Sequence, residues 1–199
     1  MNVIGILGGI ASGKTFVAKQ FEELGAVVLD VDAIAHHVLA EREVIKALRE
    51  RWGPHVVNAE GEIDRAAVAE LVFAEGTTGS RELDYLERIT HPRIGERVQR
   101  RLAELAESEN VVAVVLDAAV MLKAGWDEFC DRIVFIASSR KQRLERVLQR
   151  GWSEADFAAR EAAQESLDEK RKHADWVIDN GKSAAHTRAQ VRQIWHTLH

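Results

Sequence analysis

The apolar run "VIGIL" (Val3–Leu7) leads directly into "GGIASGKT" (Gly8–Thr15), and this junction constrains the fold more than any other stretch. Gly8, four further residues and then Gly13-Lys14-Thr15 satisfy G-x-x-x-x-G-K-[ST] in full. Glycine is needed there so that backbone N–H groups can turn inward onto phosphate oxygens, and a helix behind the loop adds the partial positive charge of its N-terminus. Lys14 then neutralises the outer phosphates, and the Thr15 hydroxyl is placed to ligate Mg²⁺. The reading is a nucleotide whose triphosphate lies on residues 8–16, so Gly9, Ala11, Ser12 and Phe16 join the binding set.

Four further apolar runs resemble the first: "AVVLD" (26–30), "VVAVVLD" (111–117), "RIVFIA" (132–137) and "DWVID" (175–179). They are continuous rather than alternating, the pattern of strands covered by helices on both faces of a parallel sheet. Helical spacing fills the intervals. Val17, Phe21 and Leu24 share one face behind the loop, and Ile94, Val98, Leu102 and Leu105 share another in a long charged segment. The fold class is α/β: a doubly wound, five-stranded parallel sheet with crossover helices. Residues 43–108 carry helical segments and no convincing strand, so a helical lobe is inserted between the second and third strands. Within it, "WGPHVVNAEGEID" (52–64) reads as a loop and Asp64 as a helix cap. Pro92 reads as the end of one helix and the start of the next. No repeat, low-complexity tract or linker divides the 199 residues, which read as one domain.

With 46% hydrophobic and 30% charged residues, the chain has the make-up of a soluble globular enzyme. A formal net charge of −5 speaks against nucleic acid or an anionic membrane surface as the main partner. No apolar run approaches the ~20 residues that span a bilayer, and the N-terminus lacks the basic region of a signal peptide. The single cysteine, Cys130, cannot form an internal disulfide and suits a reducing, cytoplasmic location. It reads as a small packing residue rather than a nucleophile. Trp126, Trp176 and Trp195 lie in or beside apolar runs and read the same way.

A phosphate loop alone does not separate a kinase from a GTPase or a motor ATPase. No Asn/Thr-Lys-x-Asp tetrapeptide, the usual guanine determinant, occurs in the chain. "VLDVDAIAHHVL" (28–39) follows the second strand, whose C-terminal end faces the ligand crevice of a doubly wound sheet. Asp30 and Asp32 thus fall at the mouth of the phosphate site, and Asp32, Ala35 and His36 fall on one side of a helix that begins near residue 31. A carboxylate there can take the proton of a hydroxyl attacking the γ-phosphate. It can equally do no more than cap the helix. In "SSRKQRLERVLQRGW" (138–152), Arg140, Arg143, Arg146 and Arg150 fall within an arc of about 120° that also holds Val147. Such a stripe serves either as a lid over the transferred phosphate or as a solvated face, with Glu145 available to pair. Asp117, ending the third run, is open to two readings as well: Mg²⁺ held through water, or a cap.

Together these stretches resemble dephospho-CoA kinase, the P-loop family that uses ATP and Mg²⁺ to phosphorylate the ribose 3′-hydroxyl of dephospho-CoA. The resemblance runs nearly end to end. It implies the strand order 2-3-1-4-5. "GILGGIASGKT" is similar to the family's phosphate loop, and "LGAVVLDVDAIAHHVL" to its Asp-x-Asp segment, which makes Asp32 the catalytic base and His36 an acceptor contact. "EGEIDRAAVAELVF" (60–73) resembles part of the helical acceptor lobe and supplies Asp64 and Arg65. "ITHPRI" (89–94) resembles the family's His-Pro turn and supplies His91. "RKHADWVIDNGKS" resembles the stretch that approaches the adenine, with Asn180 and Gly181 as its contacts. Residues 138–165 become the lid, with Arg146 catalytic and Arg143 and Arg150 binding ATP. Dephospho-CoA is expected between the helical lobe and the Asp32 helix, its 3′-hydroxyl near Asp32.

Two departures stand out. Where the family reads Asp-x-Pro-Leu-Leu-x-Glu-x-Gly, "DAAVMLKAG" (117–125) keeps Asp117 and Gly125 but puts Ala119 at the proline and Lys123 at the glutamate. Lys123 reads either as a contact to a substrate phosphate or as the replacement of a structural glutamate. Arg143 stands where the family has a glutamine. Another small P-loop metabolite kinase, with a nucleoside, shikimate-like or gluconate-like acceptor, is the nearest rival. A nucleotide switch or ATPase acting through a protein partner is the rival of a different class. The family implies no obligatory protein partner.

Overall fold

The structure is a computed structural model in which residues 1–198 are described. In chain order, β1 (Asn2–Gly8), α1 (Lys14–Glu22), β2 (Val27–Asp30), α2 (Val31–Leu39), α3 (Arg42–Trp52), α4 (Arg65–Val72) and α5 (Thr77–Ala106) come first. β3 (Ala113–Asp117), β4 (Arg132–Ala137), α6 (Arg140–Leu148), α7 (Glu154–Ala162), α8 (Leu167–Lys172), β5 (Trp176–Asp179) and α9 (Ala184–His196) follow. All five apolar runs are strands, and they pair in parallel in the order β2-β3-β1-β4-β5. This is the order implied by the family resemblance. It makes β1 the central strand, with Ile6 in register with Asp117 on one side and Val134 on the other.

The chain packs as two compact units, one formed by Met1–Asp30 with the residues from Leu102 onward, the other by Val31–Arg101. In the first, Ile4, Ile6, Val115, Val134, Ile136 and Ile178 of the sheet pack against Val17 and Phe21 of α1 and Val191 and Ile194 of α9. Phe21 is fully buried, which contributes about 1.5–3 kcal/mol relative to exposure. Trp126 is buried, while Trp176 and Trp195 pack half-buried against this core. Cys130 is half-buried, and burial, followed by the charges of Asp127 and Asp131, pushes its thiol up to about 12. It is a packing residue with a proton that stays on.

In the second unit Val44 and Leu48 of α3, Val68 and Val72 of α4, and Ile94 and Val98 of α5 are buried. Asp64 caps α4 by accepting from the N–H groups of Ala66 and Ala67 at 3.0 and 3.1 Å. A clasp joins α3 to α5: Glu82 accepts from Arg51 Nη2 at 2.8 Å and Trp52 Nε1 at 2.7 Å. Those two hydrogen bonds, Arg51 first, hold its carboxyl down at about 2. The 52–64 segment is more ordered than a plain loop, with a 3₁₀ turn at Pro54–Val56 and a bridge between Val57 and Ile63.

The expectation at Pro92 is corrected: the residue lies inside α5, which runs unbroken from Thr77 to Ala106. A proline in mid-helix removes one backbone N–H and crowds the preceding turn. Side chains on either side of Pro92 add hydrogen bonds to the helix backbone. Thr90 Oγ1 donates to the Leu86 carbonyl and Arg93 Nη1 to the Ile89 carbonyl, both at 2.9 Å.

Candidate active site

The phosphate loop emerges from the C-terminal end of the central strand. Ala11 takes the left-handed conformation (φ 56°), as does Gly13 (φ 100°), the cap position of α1. No side chain caps α1. Serines cap α6, α7, α8 and α9. The first-turn N–H groups of a helix have no acceptor within it, so the start of α1 offers donors to an anion.

Three elements hold the loop by its carbonyls. Arg146 Nη1 donates to the carbonyls of Ala11 at 2.9 Å and Ser12 at 3.0 Å, and its Nη2 to the Asn180 carbonyl at 2.9 Å. Asn180 Nδ2 donates to the Ser12 carbonyl at 2.7 Å, and Ser138 Oγ to the same carbonyl at 3.0 Å. Thr187 Oγ1 in turn fixes Asn180 through its Oδ1 at 2.9 Å. The family-implied adenine contact Asn180 thus has its side chain on the loop backbone, and Arg146 is committed to the same task. Gly13 is obligatory here, because a Cβ on it would overlap Asn180 Nδ2.

A cavity of about 380 Å³ opens beside Gly9, lined among others by Ile136, Ser139, Gln142, Arg143, Leu167 and Gly181. That volume lies in the range of small-molecule pockets. Gln142 Nε2 donates to the Gly181 carbonyl at 2.6 Å, tying α6 to the turn after β5. Arg143 is 3% exposed. Its Nη2 pairs with Glu161 Oε1 of α7 at 2.6 Å, and Arg140 Nε reaches Glu161 Oε2 at 2.9 Å. Burial alone would raise the Glu161 carboxyl, but the hydrogen bonds of Arg143 and Arg140 outweigh it and hold the group ionised. The carboxylate that serves the arginine stripe therefore comes from α7. Among the described residues, buried side-chain polar atoms without a hydrogen-bond partner include Ser12 Oγ and the Nε and Nη1 of Arg143. Buried donors are ordinarily satisfied, and these stand at the loop and its cover.

Thr15, in the first turn of α1, is exposed, and Phe16 packs half-buried on the core. Asp117 ends β3, in register with Ile6 on β1 and with Asp30 on β2. A hydroxyl and a carboxylate are hard oxygen donors, a set that suits Mg²⁺ with water completing its shell. Lys123 is exposed in the turn after β3, and Arg150 is exposed just past the end of α6. In the Val31–Arg101 unit, Asp32 and His36 are exposed one turn apart on α2, Arg65 is exposed as the first residue of α4, and His91 is half-buried on α5. Sequence reasoning missed Ser138, Gln142, Glu161 and the buried Lys170. Only helical phase could have hinted at the last, since Lys170 shares a face with the apolar Leu167.

The family model for dephospho-CoA kinase matches residues 2–186. The chain belongs to the dephospho-CoA kinase family. A dephospho-CoA kinase of Symbiobacterium thermophilum is 40% identical over 199 residues, covering 98% of this chain and 80% of the relative. The crystal structure of TT1252 from Thermus thermophilus superposes with a TM-score of 0.81 at 32% identity, over 100% of this chain and 98% of that one. Dephospho-CoA kinase from Campylobacter jejuni follows with a TM-score of 0.66 at 26% identity, over 99% and 97%. Membership makes the chain a P-loop kinase, a phosphotransferase, and decides against the switch or ATPase reading.

Proposed function

We propose that this chain transfers the γ-phosphoryl group of ATP to the ribose 3′-hydroxyl of dephospho-CoA, giving CoA and ADP. The observation that carries the reading is the phosphate loop itself, Gly8–Thr15, held by its carbonyls and flanked by buried, unpartnered donors of Ser12 and Arg143. Family membership points to the acceptor. The triphosphate lies along residues 8–16, with the base and ribose beside the loop in the cavity that Gln142 and Gly181 line. Asp32 takes the proton of the attacking hydroxyl as its oxygen bonds to the γ-phosphorus and the bond to the ADP oxygen breaks. Lys14 offsets charge on the phosphates. Arg146 acts through the loop it holds, while Arg143 and Arg150 belong to the lid, residues 138–165.

Thr15 and Asp117 would hold Mg²⁺, which when bound neutralises charge on the phosphate oxygens. His36, Arg65 and His91 are assigned to acceptor binding within the helical lobe, residues 43–108. Lys123, a cation where the family has a glutamate, is assigned to an acceptor phosphate. A cytoplasmic location and a small-molecule partner, dephospho-CoA, complete the proposal. Among the described residues no helix is long and apolar enough to cross a membrane.

The test is CoA formation followed by mass, from purified protein, ATP, Mg²⁺ and dephospho-CoA. Turnover of roughly 1–100 s⁻¹ is expected. Tight ATP binding with no CoA formed would overturn the acceptor assignment and leave the nucleotide site standing.

A further inference from the structure

The segment "SLDEKRK" has the composition of a solvated helix, yet α8 packs against β1 and leaves Lys170 only 3% exposed. Its Nζ donates to Gln164 Oε1 at 3.1 Å, a neutral amide. One turn earlier on the same face, Leu167 Cδ2 stands 3.0 Å from the point a Cβ on Gly9 would occupy, and Arg143 Nη1 stands 2.8 Å from that point. The side chains of α6 and α8 therefore close directly over the second glycine of the phosphate loop. Burial first, then the charges of Lys14 and Arg143 acting against that of Glu165, hold the Lys170 ammonium below the usual lysine range. Lys170 of α8 and Arg143 of α6 are thus both buried cations, and the charge of the loop's Lys14 acts on Lys170.

Their compensation is incomplete. Glu161 pairs with Nη2 of Arg143, but Nε and Nη1 of the same buried guanidinium have no acceptor. Desolvated cations and donors of this kind are costly unless an anion meets them. In an enzyme of this reaction the anion that reaches the loop at Gly9 is the terminal phosphate of the nucleotide, the group on which negative charge must be stabilised during transfer.

We propose that Lys170 is a second phosphate-binding lysine, which together with Arg143 contacts the transferred phosphate of ATP from α8 and α6. The assignment rests on the kinase reading above and deepens it. It distinguishes nucleotides by their last phosphate: ATP engages Lys170, and ADP, one phosphate shorter, does not.

The experiment is calorimetric titration of the full chain with ATP and with ADP, for the wild type, Lys170→Met and Lys170→Gln, alongside turnover with dephospho-CoA. The expected result is a loss of ATP affinity of at least tenfold in both variants, with ADP affinity within twofold of wild type. Lys170→Arg should recover part of the ATP affinity, because it restores charge at that place. Equal ATP affinities in wild type and variants would overturn the proposal. So would an equal loss for ATP and ADP, which would mark Lys170 as a packing residue only. Retained ADP binding shows that a variant is folded, and Lys170→Gln keeps a polar end for Gln164 where Lys170→Met does not. A wild type that discriminates ATP from ADP through Lys170 but makes no CoA would refute the acceptor reading and uphold this one.

Discussion

Arg146 Nη1 lies 3.0 Å from the carbonyl oxygen of Ser12, a residue 134 positions earlier in the chain. The same nitrogen reaches Ala11, and Nη2 reaches Asn180, so one planar fork sets the curvature of the phosphate loop. Arg146→Ala should destabilise the protein by about 2–3 kcal/mol, the scale of lost charge-assisted hydrogen bonds, and weaken ATP binding. Arg146→Lys should rescue little, since a single ammonium cannot serve carbonyls spread across a fork. Urea unfolding and ATP titration check both. A lysine variant equal to wild type would show that charge alone suffices.

Gly13 is fixed from two directions. Its φ of 100° disfavours any side chain, and a Cβ would drive Asn180 Nδ2 off the Ser12 carbonyl. Gly13→Ala should cost about 1–3 kcal/mol in strain and reduce ATP affinity at least tenfold. Unchanged affinity, read by fluorescence or calorimetry, would mean that the clamp does not shape the phosphate site.

Asp32→Asn tests the proton acceptor. The amide is nearly isosteric but cannot take a proton, so kcat should fall by about a hundredfold or more while ATP affinity holds. Steady-state kinetics with dephospho-CoA decide it. Near-normal turnover would remove Asp32 from that role.

Glu82 makes the α3–α5 clasp dependent on pH. Its carboxyl is held at about 2, chiefly by Arg51 and then Trp52, against about 4.3 in an unfolded chain. A depressed carboxyl contributes its stability above the unfolded value and loses it as pH falls through the folded one. The wild type should therefore melt above Glu82→Gln at pH 6, and the gap should shrink steadily between about pH 4.3 and 2. A gap that stays constant over that window would refute an ionic clasp.

Cys130 should resist alkylation. With its thiol near 12, only about one molecule in ten thousand is thiolate at pH 8. Iodoacetamide should label it rapidly only in denaturant, as followed by intact mass. Fast labelling of the native protein would show that the thiol is not held in its packed environment.

Much of this molecule is legible in the sequence wherever the determinant is local. The five strands are continuous apolar runs, the phosphate loop is a spacing of glycines and one lysine, and the Asp64 cap needs only the next three residues. The amphipathic face Ile94, Val98 and Leu105 is buried as its spacing requires. What the tertiary structure decided is everything that depends on where a helix docks. Pro92 sits within α5, which continues on both sides of it, so a local proline rule gives way. Glu161 of α7 meets Arg143, which becomes buried within a stripe that by composition belongs to water. Lys170 is buried for the same reason, where α8 docks against β1. Burial of a charged side chain is set by partners far along the chain, as Arg146 and Ala11 are at 135 residues apart. No periodicity within one helix carries that information, because the free energy that holds such a charge in place is supplied by groups outside the helix.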